Sequence, residues 1–316
     1  MEPQSKRPGV RAVHSVHDFV ISVPDLAEAE RFYTAFGLDV QRSDGRLALH
    51  TDGHAHAWGH VLQAPGVKRL QWLSFGLFPE DEAAFAHEIA ARGLACPPHP
   101  AGDGSGHWLL GPDGLVIQLV VAAKVAPSVR AQPHTPATPP GQGAAPARSR
   151  AGLVRPRRLS HLLMFASDVS ASIAFYRDVL GLKLSDHSGD GIAFLHGAHG
   201  SDHHLIAVAK SHAGGLHHSS WDVGSVHEVG LGAEHMKAHG HDRGWGLGRH
   251  VLGSNYFYYV RDPWGSYAEY SHDIDYIPAD LDWPAADHPP EDSFYVWGPT
   301  PPADFVTNFE HPANAG

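Results

Sequence analysis

The chain repeats itself, and that constrains its fold more than any other feature. Residues 17–40, HDFVISVPDLAEAERFYTAFGLDV, and residues 160–184, SHLLMFASDVSASIAFYRDVLGLKL, share one plan. Each reads as an apolar strand, a turn carrying an aspartate, and an amphipathic helix with Phe-Tyr near its end, followed by Gly-Leu. In the second copy Ser167 or Ser170 is placed to cap the helix and Gly181 to end it. Each half then restates the theme, in RLQWLSFGLFPEDEAAFAHEIAARGL (69–94) and GLHHSSWDVGSVHEVGLGAEHMKAHG (215–240). Each half closes on a hairpin, HWLLGPDGLVIQLV (107–120) and YFYYVRDPWGSYAEYS (256–271), whose GPDG and DPWG turns suit type I geometry. The expectation is four strand–helix–strand modules paired into two α+β domains.

Residues 124–155 separate the halves and are rich in Pro, Ala, Gly and Arg. That composition has too little apolar material for a core and reads as a semi-extended linker. The expected organisation is a front domain over 12–123, a back domain over 156–275 and a tail over 276–316. The formal net charge of -11 argues against a nucleic-acid footprint. No apolar run reaches membrane-spanning length, and MEPQSKRPGVRAVHS has no signal-peptide core. With Cys96 as the one cysteine, a disulfide framework and a thiolate metal site are both excluded, and a cytoplasmic protein is expected. The 27 histidines make any single one uninformative, so position and register must select among them.

Register does select. His161 lies eight residues before Val169, at the start of its helix, and His218 lies eight before Val226, at the start of the equivalent helix. The two therefore hold matching positions on equivalent strands. Adjacent strand residues face opposite ways, so His217 is expected to face away from His218 and to be dispensable for metal binding. Glu269 follows the DPWG turn on the last strand, and a carboxylate buried there needs a partner. Two imidazoles and one carboxylate leave part of a metal's coordination sphere open, as in non-haem Fe(II) oxygenases. The bland alternative is a set of polar core residues satisfied by hydrogen bonds. In the front copy the matching positions hold Asp18, Trp72 and Gln118, a set expected to bind no metal.

The segments RLSHLLMFASD, SDHHLIAV, GLHHSSWDV, GRHVLGSNYFYYVRDPWGSYAEY and VWGPTPPADF carry a resemblance. The chain resembles the type I extradiol ring-cleavage dioxygenases of the vicinal oxygen chelate superfamily over nearly its whole length apart from the linker. The resemblance implies two tandem domains, each of two paired βαβββ modules, with metal only in the second. It places the metal ligands at His161, His218 and Glu269, and the ion would be Fe(II), with Mn(II) also compatible. It places the acid/base histidine at His203, since spacing favours His203 over the adjacent His204. His250 and Tyr259 would bind substrate or stabilise charge; the plainer readings are a surface loop histidine and an ordinary strand aromatic. The implied partners are a small catecholic substrate and O2, in a homo-oligomer that engages neither nucleic acid nor membrane. The implied reaction is cleavage beside the two hydroxyls to a semialdehyde or keto-enol acid.

Three other functions fit less well. A non-redox isomerase, hydrolase or lyase on this scaffold would use the metal as a Lewis acid and would need different groups around it. A ligand-sequestering module would lack the three-residue set. A histidine-rich metal buffer would concentrate its histidines in a tract. The tail is expected to pack over the back domain, with pocket closure as its lesser role.

Overall fold

A computed structural model describes residues 4–134 and 138–312. The front half runs β1 (Ser15–Val23), α1 (Leu26–Phe36), β2 (Asp39–Ser43), β3 (Arg46–His50), β4 (Ala57–Gln63), β5 (Arg69–Leu77), α2 (Glu82–Ala91), β6 (His107–Leu110) and β7 (Val116–Val121). The back half runs β8 (Arg158–Ala166), α3 (Val169–Asp178), β9 (Lys183–Ser188), β10 (Ile192–His196), β11 (Ser201–Asp202) and β12 (Ile206–Lys210). It continues with β13 (Gly215–Asp222), α4 (Val226–Ala238), β14 (Gly244–His250), β15 (Tyr256–Arg261) and β16 (Tyr267–His272). The tail adds β17 (Tyr276–Ile277), β18 (Ala286–Asp287), α5 (Pro290–Ser293) and β19 (Tyr295–Trp297).

Both halves are wired alike. The front sheet has the order β2-β3-β4-β1-β5-β7-β6, and the back sheet β18-β9-β10-β12-β8-β13-β16-β15-β14-β19. In each, the first strand pairs parallel with the last strand of its own module and antiparallel with the first strand of the next. The ladders match residue for residue at one level. Asp18 faces Ser74, which faces Gln118; His161 faces Ser220, which faces Glu269. The α+β fold with two tandem domains is therefore built from duplicated pairing.

Local chemistry explains the helix starts. Asp25 accepts hydrogen bonds from the backbone N–H groups of Ala27 and Glu28, and Asp168 accepts one from Ala171. The cap of α3 is therefore Asp168, and neither Ser167 nor Ser170 fills that role. A carboxylate also answers the positive end of the helix dipole better than a hydroxyl does.

The halves share one apolar core. Phe36 at the end of α1 stacks on Tyr270 of β16 with ring centres 3.9 Å apart, and the Tyr270 hydroxyl donates to the Phe36 carbonyl at 2.8 Å. Gly37 follows with φ 102°, and a Cβ there would lie 2.0 Å from the Val154 carbonyl oxygen, so only glycine fits. Lys68 and Asp262, both buried, form an ion pair between the domains. The stretch read as a linker contains one 3-10 turn, Arg148–Arg150, among its described residues, and its front end is held to β1 by the Ser15 hydroxyl oxygen, which accepts from the Val125 and Ala126 N–H groups. The Lys124 ammonium donates to the carbonyls of Ala126 and Pro127, and the His134 N–H donates to the Gly224 carbonyl. Residues 135–137 of that stretch and 313–316 of the tail lie outside the described residues.

Candidate active site

Three neighbouring strands of the back sheet supply the centre. β8 and β16 flank β13, and their ladders place His161 and Glu269 opposite the same residue, Ser220. His218 lies two positions earlier on β13 and so on the same face. One ligand atom from each of His161, His218 and Glu269 falls within 4.8 Å of the others, and all three residues are buried. Glu269 Oε2 lies 3.3 Å from His161 Nε2 and 3.5 Å from His218 Nε2.

The donor chemistry fits a divalent cation. Glu269 is fully buried, yet its Oε2 and the Nε2 of His218 have no hydrogen-bond partner among the described residues. Unpaired buried groups of this kind cost several kcal/mol, so a cation shared between them would offset a real penalty. Burial alone would raise the Glu269 carboxyl, but His161 and His250 beside it hold it below the usual carboxylate range. Burial pushes His218 well below the ordinary imidazole value, and His217, His161 and His250 act in the same direction. An ionised carboxylate and a neutral imidazole are the forms a metal requires.

Neighbouring groups aim the lone pairs. Ser160 donates its hydroxyl to Asp202 at 2.7 Å, so its oxygen is left to accept from His161 Nδ1 at 3.2 Å. That arrangement leaves His161 Nε2 bare. Asn255 donates its amide to Glu269 Oε1 at 3.1 Å and to Ser271 at 3.0 Å, fixing the carboxylate plane. Such supporting contacts orient ligands and raise their affinity.

His217 does not face away from His218. β13 carries a bulge between Leu216 and His218, which leaves His217 opposite no residue of β8. Both imidazoles consequently line one cavity. His217 Nε2 lies 2.8 Å from the Phe305 carbonyl and must donate to it, because a carbonyl only accepts. Burial lowers His217 to about 4, so the ring is neutral and its Nδ1 accepts. That nitrogen sits 2.7 Å from His218 Nδ1, which therefore carries the proton and leaves Nε2 free for a metal. His217→Phe is accordingly expected to weaken metal binding by about 10–100-fold. Titration of the metal-free protein with Fe(II) or Mn(II) measures this; an unchanged affinity would restore the expectation that His217 is dispensable.

His203 points away from the cavity. Its Nε2 turns to Asp186 at 2.8 Å, and His204 is the member of the pair that lines the cavity. The His204 ring lies over His161 with centres 4.0 Å apart, and burial drives it well below the ordinary imidazole value. His250 and Tyr259 both reach the cavity. His250 Nδ1 donates to the Phe294 carbonyl at 2.9 Å, so its Nε2 accepts from the Tyr259 hydroxyl at 2.9 Å. Burial and the nearby Glu269 charge raise the Tyr259 phenol well above its usual value, keeping it protonated.

The cavity has a volume of about 490 Å³. Leu163, Ile192, Phe194 and Leu252 give it apolar walls, and Phe294 and Phe305 from the tail complete them. The tail thus forms part of the pocket as well as packing on the domain. The sequence did not place His204, His217, Asn255 or Asp186 at this site; for the two histidines the signal was the pair of His-His dipeptides, but alternation alone assigns only one member of each to the site.

The front copy at the same level is filled by its own contacts. The Ser74 hydroxyl bridges Asp18 and Gln118 at 3.0 and 2.9 Å, and Trp72 packs on Trp108 with ring centres 5.7 Å apart. Burial lifts the Asp18 carboxyl to about 6.

Residues 158–270 match the model of the Glyoxalase/Bleomycin resistance protein/Dioxygenase superfamily. The chain is 49% identical over 311 residues to Metapyrocatechase 2 of Cupriavidus necator, covering 97% of both proteins. Among solved structures, the Mn(II)-bound glyoxalase from Novosphingobium aromaticivorans matches with TM-score 0.73 at 25% identity, covering 92% of this chain and 93% of that one. Homoprotocatechuate 2,3-dioxygenase from Arthrobacter globiformis matches in fold with TM-score 0.75 at 18% identity, covering 97% and 93%. With a relative this similar along its entire length and the duplicated βαβββ architecture, the chain belongs to the extradiol ring-cleavage dioxygenases of the vicinal oxygen chelate superfamily.

Proposed function

We propose that the protein opens a catechol-type ring beside its two hydroxyls with O2, using Fe(II) held by His161, His218 and Glu269. The observation that carries this reading is the convergence of three buried ligand atoms, two of them without partners, at one end of an apolar cavity. The name metapyrocatechase on the 49% identical relative supports a catechol as the substrate. Bound there, the ion supplies open positions for a vicinal diol and O2 and acidifies the substrate hydroxyls. Imidazole and carboxylate ligands suit Fe(II) and Mn(II) alike, and Fe(II) is the ion of this proposal.

The chain's own side chains then have distinct tasks. His204 takes a hydroxyl proton from the substrate at Nε2 and holds it for return to the product. Tyr259 stays protonated and presents a phenol oxygen fixed by His250, so this pair orients the reacting ring and answers negative charge developing on it. Leu163, Phe194 and Leu252 exclude water around the ring, and the tail residues Phe294 and Phe305 close the far wall. The apolar lining favours catechols with small neutral substituents. In this reading residues 156–275 carry the chemistry, residues 12–123 brace it through the shared core, and 124–155 connect the two. We also propose a homo-oligomer, because Val296 and Trp297 on the edge strand β19 leave apolar surface exposed, and, separately, a cytoplasmic location. Among the described residues no helix is long and apolar enough to cross a membrane.

The test is anaerobic loading with Fe(II), addition of catechols bearing hydrogen, alkyl or carboxylate substituents, and then admission of air. One O2 consumed per ring and a yellow product are expected, fastest with the neutral catechols. Metal-replete protein that consumes no O2 with any catechol would overturn the reading in favour of Lewis-acid chemistry.

A further inference from the structure

We infer that Asp186 and His203 are positioning residues that set the proton arrangement and ring plane of His204; this rests on the reading of His204 as the group facing substrate. The argument begins on β9. Asp186 pairs with Ala286 of β18, the tail strand added in parallel to the edge of the sheet. Its Oδ1 accepts from the Ala286 N–H at 3.0 Å and from His288 Nε2 at 2.9 Å. Its Oδ2 accepts from Trp283 Nε1 at 3.2 Å and from His203 Nε2 at 2.8 Å. All four lone-pair sites of the carboxylate are thereby used, and three of the donors come from the tail.

The consequence passes along the chain of contacts. A carboxylate only accepts, so His203 Nε2 must carry its proton. In the neutral ring, His203 Nδ1 is then an acceptor. It lies 3.1 Å from His204 Nδ1, which must donate. The proton of His204 is thus drawn to the side away from the cavity, and its Nε2 is left bare. The alternative gives His203 both protons and makes it a buried cation, with His204 protonated at Nε2 and unable to accept a proton from substrate. Asp186 already has its charge spread over four donors, so it does not require a cation beside it. The pair repeats the logic of His217 and His218, where an outer imidazole is anchored by a fixed acceptor and its Nδ1 orders the inner ring. Here the anchor is a side chain held by the tail, so the tail reaches the chemistry through Asp186 as well as through the cavity wall.

Asp186→Asn reverses the contact to His203 and loses the one from Trp283 when the amide oxygen stays with the Ala286 N–H and His288, because the amide nitrogen then faces His203 Nε2. His203 must then carry its proton on Nδ1, which forces the His204 proton to Nε2. His203→Phe removes the acceptor altogether. His203→Asn keeps an oxygen near the Nδ1 position and serves as the conservative variant. Each is purified with metal content determined, and kcat is expressed per bound metal. For Asp186→Asn and His203→Phe we expect kcat to fall about 10–100-fold, with KM within about threefold of wild type and metal content unchanged. His203→Asn should recover most of that loss.

The second readout needs no metal. Long-range 1H–15N correlation spectra of 15N-histidine-labelled, metal-free protein, assigned with single-histidine variants, report which ring nitrogen of each histidine is protonated. Wild type should show His203 protonated at Nε2 and His204 at Nδ1, and Asp186→Asn should move the His204 proton to Nε2. A wild-type His204 proton already at Nε2, or unchanged kcat in folded His203→Phe protein, overturns the inference. So does a loss confined to metal content. If Asp186→Asn does not fold, the contrast between the two His203 variants decides. If wild type shows these tautomers but no dioxygenase activity, the functional reading fails while the proton arrangement stands.

Discussion

Glu269→Gln is expected to abolish ring cleavage and to strip the protein of its metal. The substitution preserves shape and removes the charge. It leaves two neutral imidazoles facing an uncharged amide, with no anion to balance a dication in a buried site. Breaking a buried charge pair by removing one partner costs about 3–5 kcal/mol, which is two to three powers of ten or more in affinity. Metal analysis after dialysis against a weak chelator reads the effect directly. A variant that keeps one metal per chain would remove the basis for a cation at this position.

His204→Phe should lower kcat by about 10²–10⁴-fold, the range for loss of a general base. A phenyl ring preserves the packing over His161 at the observed separation of 4.0 Å between ring centres, so metal content should not change. His203→Phe should cost less, because it misorients the base without deleting it. The order of the two effects is the decisive measurement. If the His203 variant proved the more damaged while both kept metal, the ring bordering the cavity would not be the one that moves the proton. Single-turnover measurement under limited O2 separates this chemical step from product release.

The legible part of the site is the part that follows from duplication. The repeats align His161 with Asp18, His218 with Trp72 and Glu269 with Gln118, and the ladders through Ser220 and Ser74 place them so. Strand pairing conserves register over many residues, because one slip would turn every side chain to the wrong face. Counting from the start of each helix was therefore enough to bring His161 and His218 to one level, and aligning the closing hairpins added Glu269. His250 and Tyr259 came from the resemblance, and both reach the cavity.

Neither pair of adjacent histidines follows simple alternation. Alternation holds only while the strand is regular, and a single extra residue in β13 carries His217 round to the side of His218. Nothing in GLHHSSWDV marks that bulge, because it depends on how β8 pairs alongside. Between β11 and β12 there is no ladder to count along at all. There the choice between His203 and His204 is made by Asp186, whose own position depends on a tail strand 100 residues further on. The tail likewise supplies the carbonyls of Phe294 and Phe305 that orient His250 and His217. Periodicity and repetition, being properties of neighbours along one strand, determined the scaffold and the level at which His161, His218 and Glu269 meet. Proton placement on the surrounding rings, and the walls of the cavity, were settled by contacts between segments far apart in the chain, whose geometry no local pattern encodes.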